Sequence, residues 1–390
     1  MTVRSASVIH TGIACALLCG AASAAFAQQG VVPTWTLQPD LQIGGGSDGP
    51  TLFSEIRGIA LTRSGNIFVL EFKDQELRVF DPKGSFLRRA GRRGAGPGEL
   101  GNANGIAIGA DDVVWMNDEQ NSRFSLYRAD GNFLKQIVTP IDGYGWVWRG
   151  SVVAPDRVLD DLGVQIPTSK IDPTTHRPIF ESRLRFVTAS GKSDTVDYPR
   201  CPGRPLSAPA NLVYGRPGDR SRAYMSLPFR PFTLQAYTRQ NTVWCTPSDD
   251  YRLLVGTIGG TLREVVRRQF PDVPVTAAER QREIIRLDSA QVKYGPLISG
   301  DPSAIPKVKP AIAAIFADDL GRVWVRRNGV PENAPVFEVY DATGRQVATV
   351  TSKGAIGDQV AIAGDAMITV NLDEDDVPSV VRYRIIKRSH

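Results

Sequence analysis

Histidine and cysteine are scarce in this chain of 390 residues, with three and four copies respectively. Beyond residue 27 only His176 and His390 remain, so a three-histidine zinc centre cannot be built within one chain. Charge of one sign is also lacking. Lys plus Arg number 46 and Asp plus Glu 41, a net +5, which argues against a dedicated nucleic-acid binder. After residue 27 no apolar run approaches the ~20 residues of a membrane span. No G-x-S-x-G elbow occurs, which leaves a Ser-His-Asp triad without support. The glycine-rich 94–98 segment lacks the Gly-Lys-Ser/Thr of a phosphate loop and reads as a turn. What is present is ordinary globular composition, 42% hydrophobic and 22% charged, with 37 Gly and 27 Pro to make many turns.

The N-terminus reads as an export signal. Arg4 precedes an apolar stretch from Ile13 to Phe26 that ends Ala25-Phe26-Ala27, with small residues three and one before a cut after Ala27. A membrane anchor is the alternative, but Thr11, Gly12 and Gly20 interrupt the run and it is short for spanning. Cleavage removes Cys15 and Cys19 and leaves Cys201 and Cys245. In an oxidising compartment that pair is expected to form a disulfide, worth about 4 kcal/mol in the chain-entropy picture; two buried free thiols are the other reading. The mature chain, 28–390, is expected to be one domain, a monomer without a membrane span, in the periplasm or outside the cell.

A repeat organises that domain. Residues 53–88 lie over 100–135 without a gap, at a spacing of 47. Gly58-Ile59-Ala60 falls on Gly105-Ile106-Ala107, and Gly84-Ser85-Phe86-Leu87 on Gly131-Asn132-Phe133-Leu134. Each unit holds four short β-prone runs separated by turn residues, the pattern of a four-stranded antiparallel meander. A period of 40–50 residues with four strands is the mark of a propeller blade. The sequence predicts an all-β, six-bladed β-propeller with blades near 52–91, 100–139, 147–199, 224–270, 306–350 and 355–388. The last is closed by a strand near 34–37 from the mature N-terminus. A seventh blade would have to lie in the Pro-rich 200–223 stretch, which shows little strand pattern. Thr276 followed by Glu279 is the spacing of a capping box, predicting one inserted helix near 275–288 with Ile284, Ile285 and Leu287 as a narrow apolar face.

The first unit resembles the NHL repeat of six-bladed propellers. The resemblance rests on Gly58-Ile59-Ala60, Gly65-Asn66-Ile67-Phe68-Val69 and Val79-Phe80-Asp81-Pro82-Lys83-Gly84. Residues 91–100, GRRGAGPGEL, are similar to the connector between such blades in exported bacterial proteins. The resemblance implies the fold and no single reaction. Its lactonase-like relatives hold a divalent cation with Glu, Asn and Asp, so calcium would fall on some of Glu71, Asn102, Asn104, Asp118 and Asp373. A metal-assisted hydrolase or lyase is therefore the alternative to a non-enzymatic platform, which needs no cofactor. The acidic run 373–376 reads as a solvated hairpin tip.

In this architecture the residue before each inner strand stands at the channel mouth. Those positions read Arg57, Asn104, Arg149, Arg230 and Lys309, with Trp146 and Trp148 on an adjoining connector. Converging cations and aromatics would select an anionic or sugar-like small molecule, a glycan or a protein, and no nucleic acid. The other reading pairs the cations with Glu71, Asp118 or neighbouring acids and leaves the mouth neutral.

Overall fold

Alternating apolar residues in short runs, broken by Asp-Gly and Ser-Gly turns, bury one sheet face against the next blade. The computed structural model describes residues 1, 31–46, 49–141, 147–173, 176, 178–202, 212–216, 222–331 and 333–387. The expected export signal, 1–27, lies outside them apart from Met1.

The chain is a six-bladed β-propeller. In blade 1 the strands run Ile56–Leu61, Ile67–Glu71, Glu76–Phe80 and Phe86–Arg93 from the channel outward. Blade 2 repeats this with Ala103–Ile108, Val114–Asp118, Arg123–Tyr127 and Phe133–Val138. Blades 3, 4 and 5 begin at the inner strands Ser151–Ala154, Thr233–Tyr237 and Ile312–Ala317. Blade 6 is Val360–Ala363, Ala366–Leu372 and Pro378–Lys387, completed on its outer edge by Thr34–Gly44. That closing strand is antiparallel to Pro378–Lys387, and its first residues, Thr34 to Leu37, also pair in parallel with Thr349 to Ser352 of blade 5. One N-terminal strand thus ties two blades and removes an edge.

The repeated glycine has a steric cause. A Cβ on Gly58 would sit 2.9 Å from the Ile106 amide nitrogen, and one on Gly105 would sit 2.2 Å from the Trp148 carbonyl oxygen. These are the points where the next blade's chain crosses closest, so no side chain fits.

Two departures from the repeat stand on the same face as the connectors between blades. In blade 3 the second and third strands, Arg157–Ile171 and Pro178–Thr188, run on past the bulge at Asp160 as a long hairpin arm. Between blades, a three-stranded sheet of Leu212–Tyr214, Ala223–Met225 and Leu297–Ser299 joins the helix α1, Ala277–Tyr294. Thus part of the 200–223 stretch forms this cap rather than a blade. The capping box is present, with Thr276 and Glu279 bonded reciprocally. The helix runs further than its sequence pattern suggests, and it buries Leu287 and Ala290, whereas Ile284 and Ile285 are exposed. Leu287 and Ala290 pack with Leu212, Tyr214, Leu227 and Ile305, and the partners available there decide which helix face is buried.

The closing strand gives a direct test. Leu37 is fully buried among Trp324, Phe337 and Val350 of blade 5 and Tyr383 and Ile385 of blade 6. Leu37→Ala should cost about 3 kcal/mol in urea unfolding. A cost under about 0.5 kcal/mol would mean that this strand does not close the ring.

Candidate functional site

The connectors that lead from one blade's outer strand to the next inner strand carry backbone groups with no sheet partner, and each must find one. Side chains at the end of each second strand supply acceptors. Glu71, fully buried, accepts from the amides of Ser54 at 3.0 Å, Glu55 at 3.3 Å and Lys73 at 3.1 Å. Asp118, 47 residues on, accepts from Gly101 and Asn102, both at 3.0 Å. Asp161 takes the Arg149 amide at 3.1 Å in blade 3, and Ser248 takes the Phe232 amide at 2.9 Å in blade 4. In blades 5 and 6 the residues are Asn328, which donates to the Pro310 carbonyl at 2.8 Å, and Asn371, which accepts from Gly357 at 3.2 Å.

Arginines supply the complementary donors. Arg78 reaches the Leu52 carbonyl at 2.5 Å, and Arg185 reaches that of Pro140 at 2.5 Å. Arg123 donates to the carbonyls of Ala95, Gly96 and Glu99 at 3.0, 2.8 and 2.6 Å, so the glycine-rich connector is folded around a buried guanidinium. Arg326 does the same for Ile356 at 2.9 Å. Sequence reading missed this use of arginine. The signal was there, since Arg78, Arg123 and Arg185 all lie in third strands.

The expected ring of mouth cations is only partly assembled. Arg57 and Asn104 do meet: the guanidinium donates to the Asn104 side-chain oxygen, pairs with Glu55 at 2.6 Å and lies over the Phe72 ring at 3.2 Å. Asn104 is buried and donates to Glu119 at 2.8 Å. Arg149 is exposed at the start of blade 3. Trp148 is 2% exposed, with its indole N–H on Asp160 at 3.0 Å, so it belongs to the core between blades 2 and 3. Trp146 lies outside the described residues.

Arg230 and Lys309 stand upstream of the register. The Glu55 carbonyl accepts from Phe72 in blade 1, and the same bond runs from Ser248 to Phe232 in blade 4 and from Asn328 to Ala311 in blade 5. With the bulges at Arg57 and Ala313 aligned, Ala313 therefore takes the place in blade 5 that Arg57 takes in blade 1. Lys309 is ion-paired to Glu279 of α1 and holds the cap stem. Proline-containing insertions lengthened both connectors and displaced the count.

Among the described residues no three His, Cys, Asp or Glu side chains come together to hold a metal. Glu71 and Asp118 are occupied by backbone amides, as above. Asn102 donates to Glu119 at 3.2 Å, and Asp373 folds its own hairpin tip by accepting from Asp375 and Val377 at 2.9 Å. Cys201 and Cys245 form a disulfide, with Cα atoms 6.1 Å apart, joining the connector to the second strand of blade 4.

What does open at the mouth is a cavity of about 760 Å³ over blades 5, 6 and 1. Its polar wall is Arg326, Arg327, Asn328, Asp358, Gln359 and Asn371, and the connectors at Ser54 to Ile56 and Ala355 to Gln359 form its rim. Arg327 is held from behind by Glu338 at 3.1 Å, a buried carboxylate that also accepts from Tyr251, Tyr340 and Arg268. Burial alone would raise the Glu338 pKa, but the hydrogen bonds from Arg268 and Tyr251 outweigh it and hold the group below the usual range.

On the opposite side of the mouth, burial pushes the Asp161 carboxyl up to about 7, with the Asp160 charge adding to the rise against the Arg149 amide. An acid raised above its unfolded value of about 3.9 keeps a proton in the folded chain that the unfolded chain gives up. Stability therefore falls as pH rises from about 4 through 7, and the penalty is complete above that window. Asp161→Asn keeps an acceptor for the Arg149 amide and removes the titration. The variant should lose less stability than the wild type between about pH 5 and pH 8 in urea unfolding; an identical loss in both would refute the assignment.

The family model DUF5128, described as a 6-bladed beta-propeller, matches residues 49–145. No curated protein matches the chain. Among solved structures it is similar to a member of the duf4221 family from Bacteroides vulgatus, at 11% identity over 91% of this chain and 99% of that one, TM-score 0.48. It is also similar to a gluconolactonase from Xanthomonas campestris, 10% identical over 89% and 97%, TM-score 0.38. A virginiamycin B lyase from Staphylococcus aureus is 12% identical over 89% and 88%, TM-score 0.35. Likenesses this distant carry no argument about the activity of this chain.

Proposed function

We propose that the chain is an exported binding platform that takes a polar, sugar-like ligand bearing an anionic group into the cavity over blades 5, 6 and 1. The observation that carries this reading is the makeup of that cavity's wall. Three side-chain amides, two guanidiniums and the carboxylates of Glu55, Asp358 and Asp376 line one concave space of about 760 Å³, within the size range of small-molecule sites, and Arg326 is paired with Asp358 at 2.8 Å. An amide side chain has four hydrogen-bonding positions, and Asn328 spends one on the Pro310 carbonyl. Such groups pair with hydroxyls, and Arg327, anchored by Glu338 from behind, is the guanidinium that suits a ligand carboxylate. The mouth positions Arg57 and Arg149 then serve as rim charges that steer an anion toward the opening. Export is supported by the disulfide and by the signal pattern at the N-terminus. Among the described residues no helix is long and apolar enough to cross a membrane.

Ala313 lines this cavity from the inner strand of blade 5 and is partly exposed, so a large side chain there fills the space without entering the core. Calorimetric titration with a panel of uronic acids and their oligomers should give saturable binding to the wild type. Ala313→Trp should weaken it about tenfold or more with little change in melting temperature. Binding that survives this substitution would place the site elsewhere, and a panel without a binder would sink the reading.

A further inference from the structure

A second cavity, about 520 Å³, adjoins the first, and Ala313 and Asn328 line both. Its wall is of a different chemistry. Leu227, Pro228, Phe229, Phe232, Pro310 and Ile312 form most of it, with Ser226 and Arg230 among them, on the strip of chain that runs from the cap into blade 4 and on the entry to blade 5. Phe232 is 43% exposed there, a large aromatic ring without cover at the edge of a polar mouth. Phe229 is held at φ +57, a backbone region that bulky residues avoid. The surrounding structure fixes it: Phe229 packs on the cap core, and the Lys309 ammonium, tied to Glu279, lies 5.9 Å from its ring. The cap therefore serves to hold an apolar, aromatic surface beside the amide-lined one.

Resting on the reading of the polar cavity above, we infer that the ligand is amphipathic: an acidic sugar-like head bound over blades 5, 6 and 1, carrying an apolar substituent of aryl size that lies against Phe229 and Phe232. Continuity decides for one molecule over two. The cavities share Ala313 and Asn328, and Ala313 has the smallest side chain that could separate them. An aromatic and proline wall favours a flat apolar group, since ring faces and edges give contact beyond area alone. The inserted cap acquires a function on this basis, because it supplies half of the recognition surface.

The test uses three probes in calorimetric titration against the full mature chain: glucuronic acid, phenyl β-glucuronide and phenol. Phenyl β-glucuronide should bind the wild type about tenfold tighter than glucuronic acid, as burial of one ring predicts. In Phe232→Ser that advantage should vanish while glucuronic acid binds as before. Phe232 meets Ser248 through its backbone alone, which the substitution keeps. If the two sugars bind the wild type within twofold of each other, the amphipathic assignment fails and the polar site stands. An advantage that persists in Phe232→Ser also overturns it, because the ring is then bound elsewhere. Phenol binding as tightly as the glycoside would show that the head makes no contribution and would remove both readings, as would a wild type that binds no probe.

Discussion

The segments between blades cross one face of this propeller, and where their described residues form no strand or helix the hydrogen-bonding needs of their backbones govern the rest of that face. An unpaired buried amide or carbonyl costs on the order of 1–3 kcal/mol, and the described connectors offer several groups of each kind. The blades answer with side chains of fixed position. Acceptors at the ends of second strands, Glu71, Asp118 and Asp161, take amides, while Arg78, Arg123 and Arg185 from third strands take carbonyls. This makes buried charge a structural material.

The same constraint limits the chemistry. A carboxylate that accepts two or three amides has little lone-pair capacity left for a cation, and Glu71 and Asp118 are in that state. Acids that look available in the sequence are thus committed before any ligand arrives. At both Glu71 and Asp161 burial raises the pKa, because the amides each carboxyl accepts do not offset the loss of water.

How far the sequence discloses this can be judged residue by residue. Blades 1 and 2 are readable because their 47-residue period is ungapped and because Gly58 and Gly105 are forced by close approach. The inserted helix is readable from Thr276 and Glu279, since capping is local chemistry; its buried face is not, since Leu287 and Ala290 are chosen by distant partners. Register fails in blades 4 and 5 for the same reason. The bonds from Ser248 to Phe232 and from Asn328 to Ala311 fix it, and each joins residues with two strands between them in the chain. The polar cavity is beyond sequence reading altogether, because Ser54 to Ile56 meet Ala355 to Gln359 only once the ring has closed. Gln359 marks that junction, donating to the Ile56 carbonyl at 2.8 Å.

The pinning residues differ in charge around the ring. In blades 1 to 3 the connector is pinned by a carboxylate; in blades 4 to 6 the corresponding groups are Ser248, Asn328 and Asn371, which are neutral. A buried carboxylate calls for several donors, which Glu71 and Asp118 have, and the connector that Glu71 pins, Ser54 to Ile56, forms part of the cavity rim. A hydroxyl or amide tolerates contact with water and needs fewer partners. Its connector can stand away, and two of these three, Asn328 and Asn371, line the 760 Å³ cavity. The cap is built from the segments before and after blade 4, and its aromatic strip stands against the adjoining cavity. The ring is regular in its blades and uneven in its connectors.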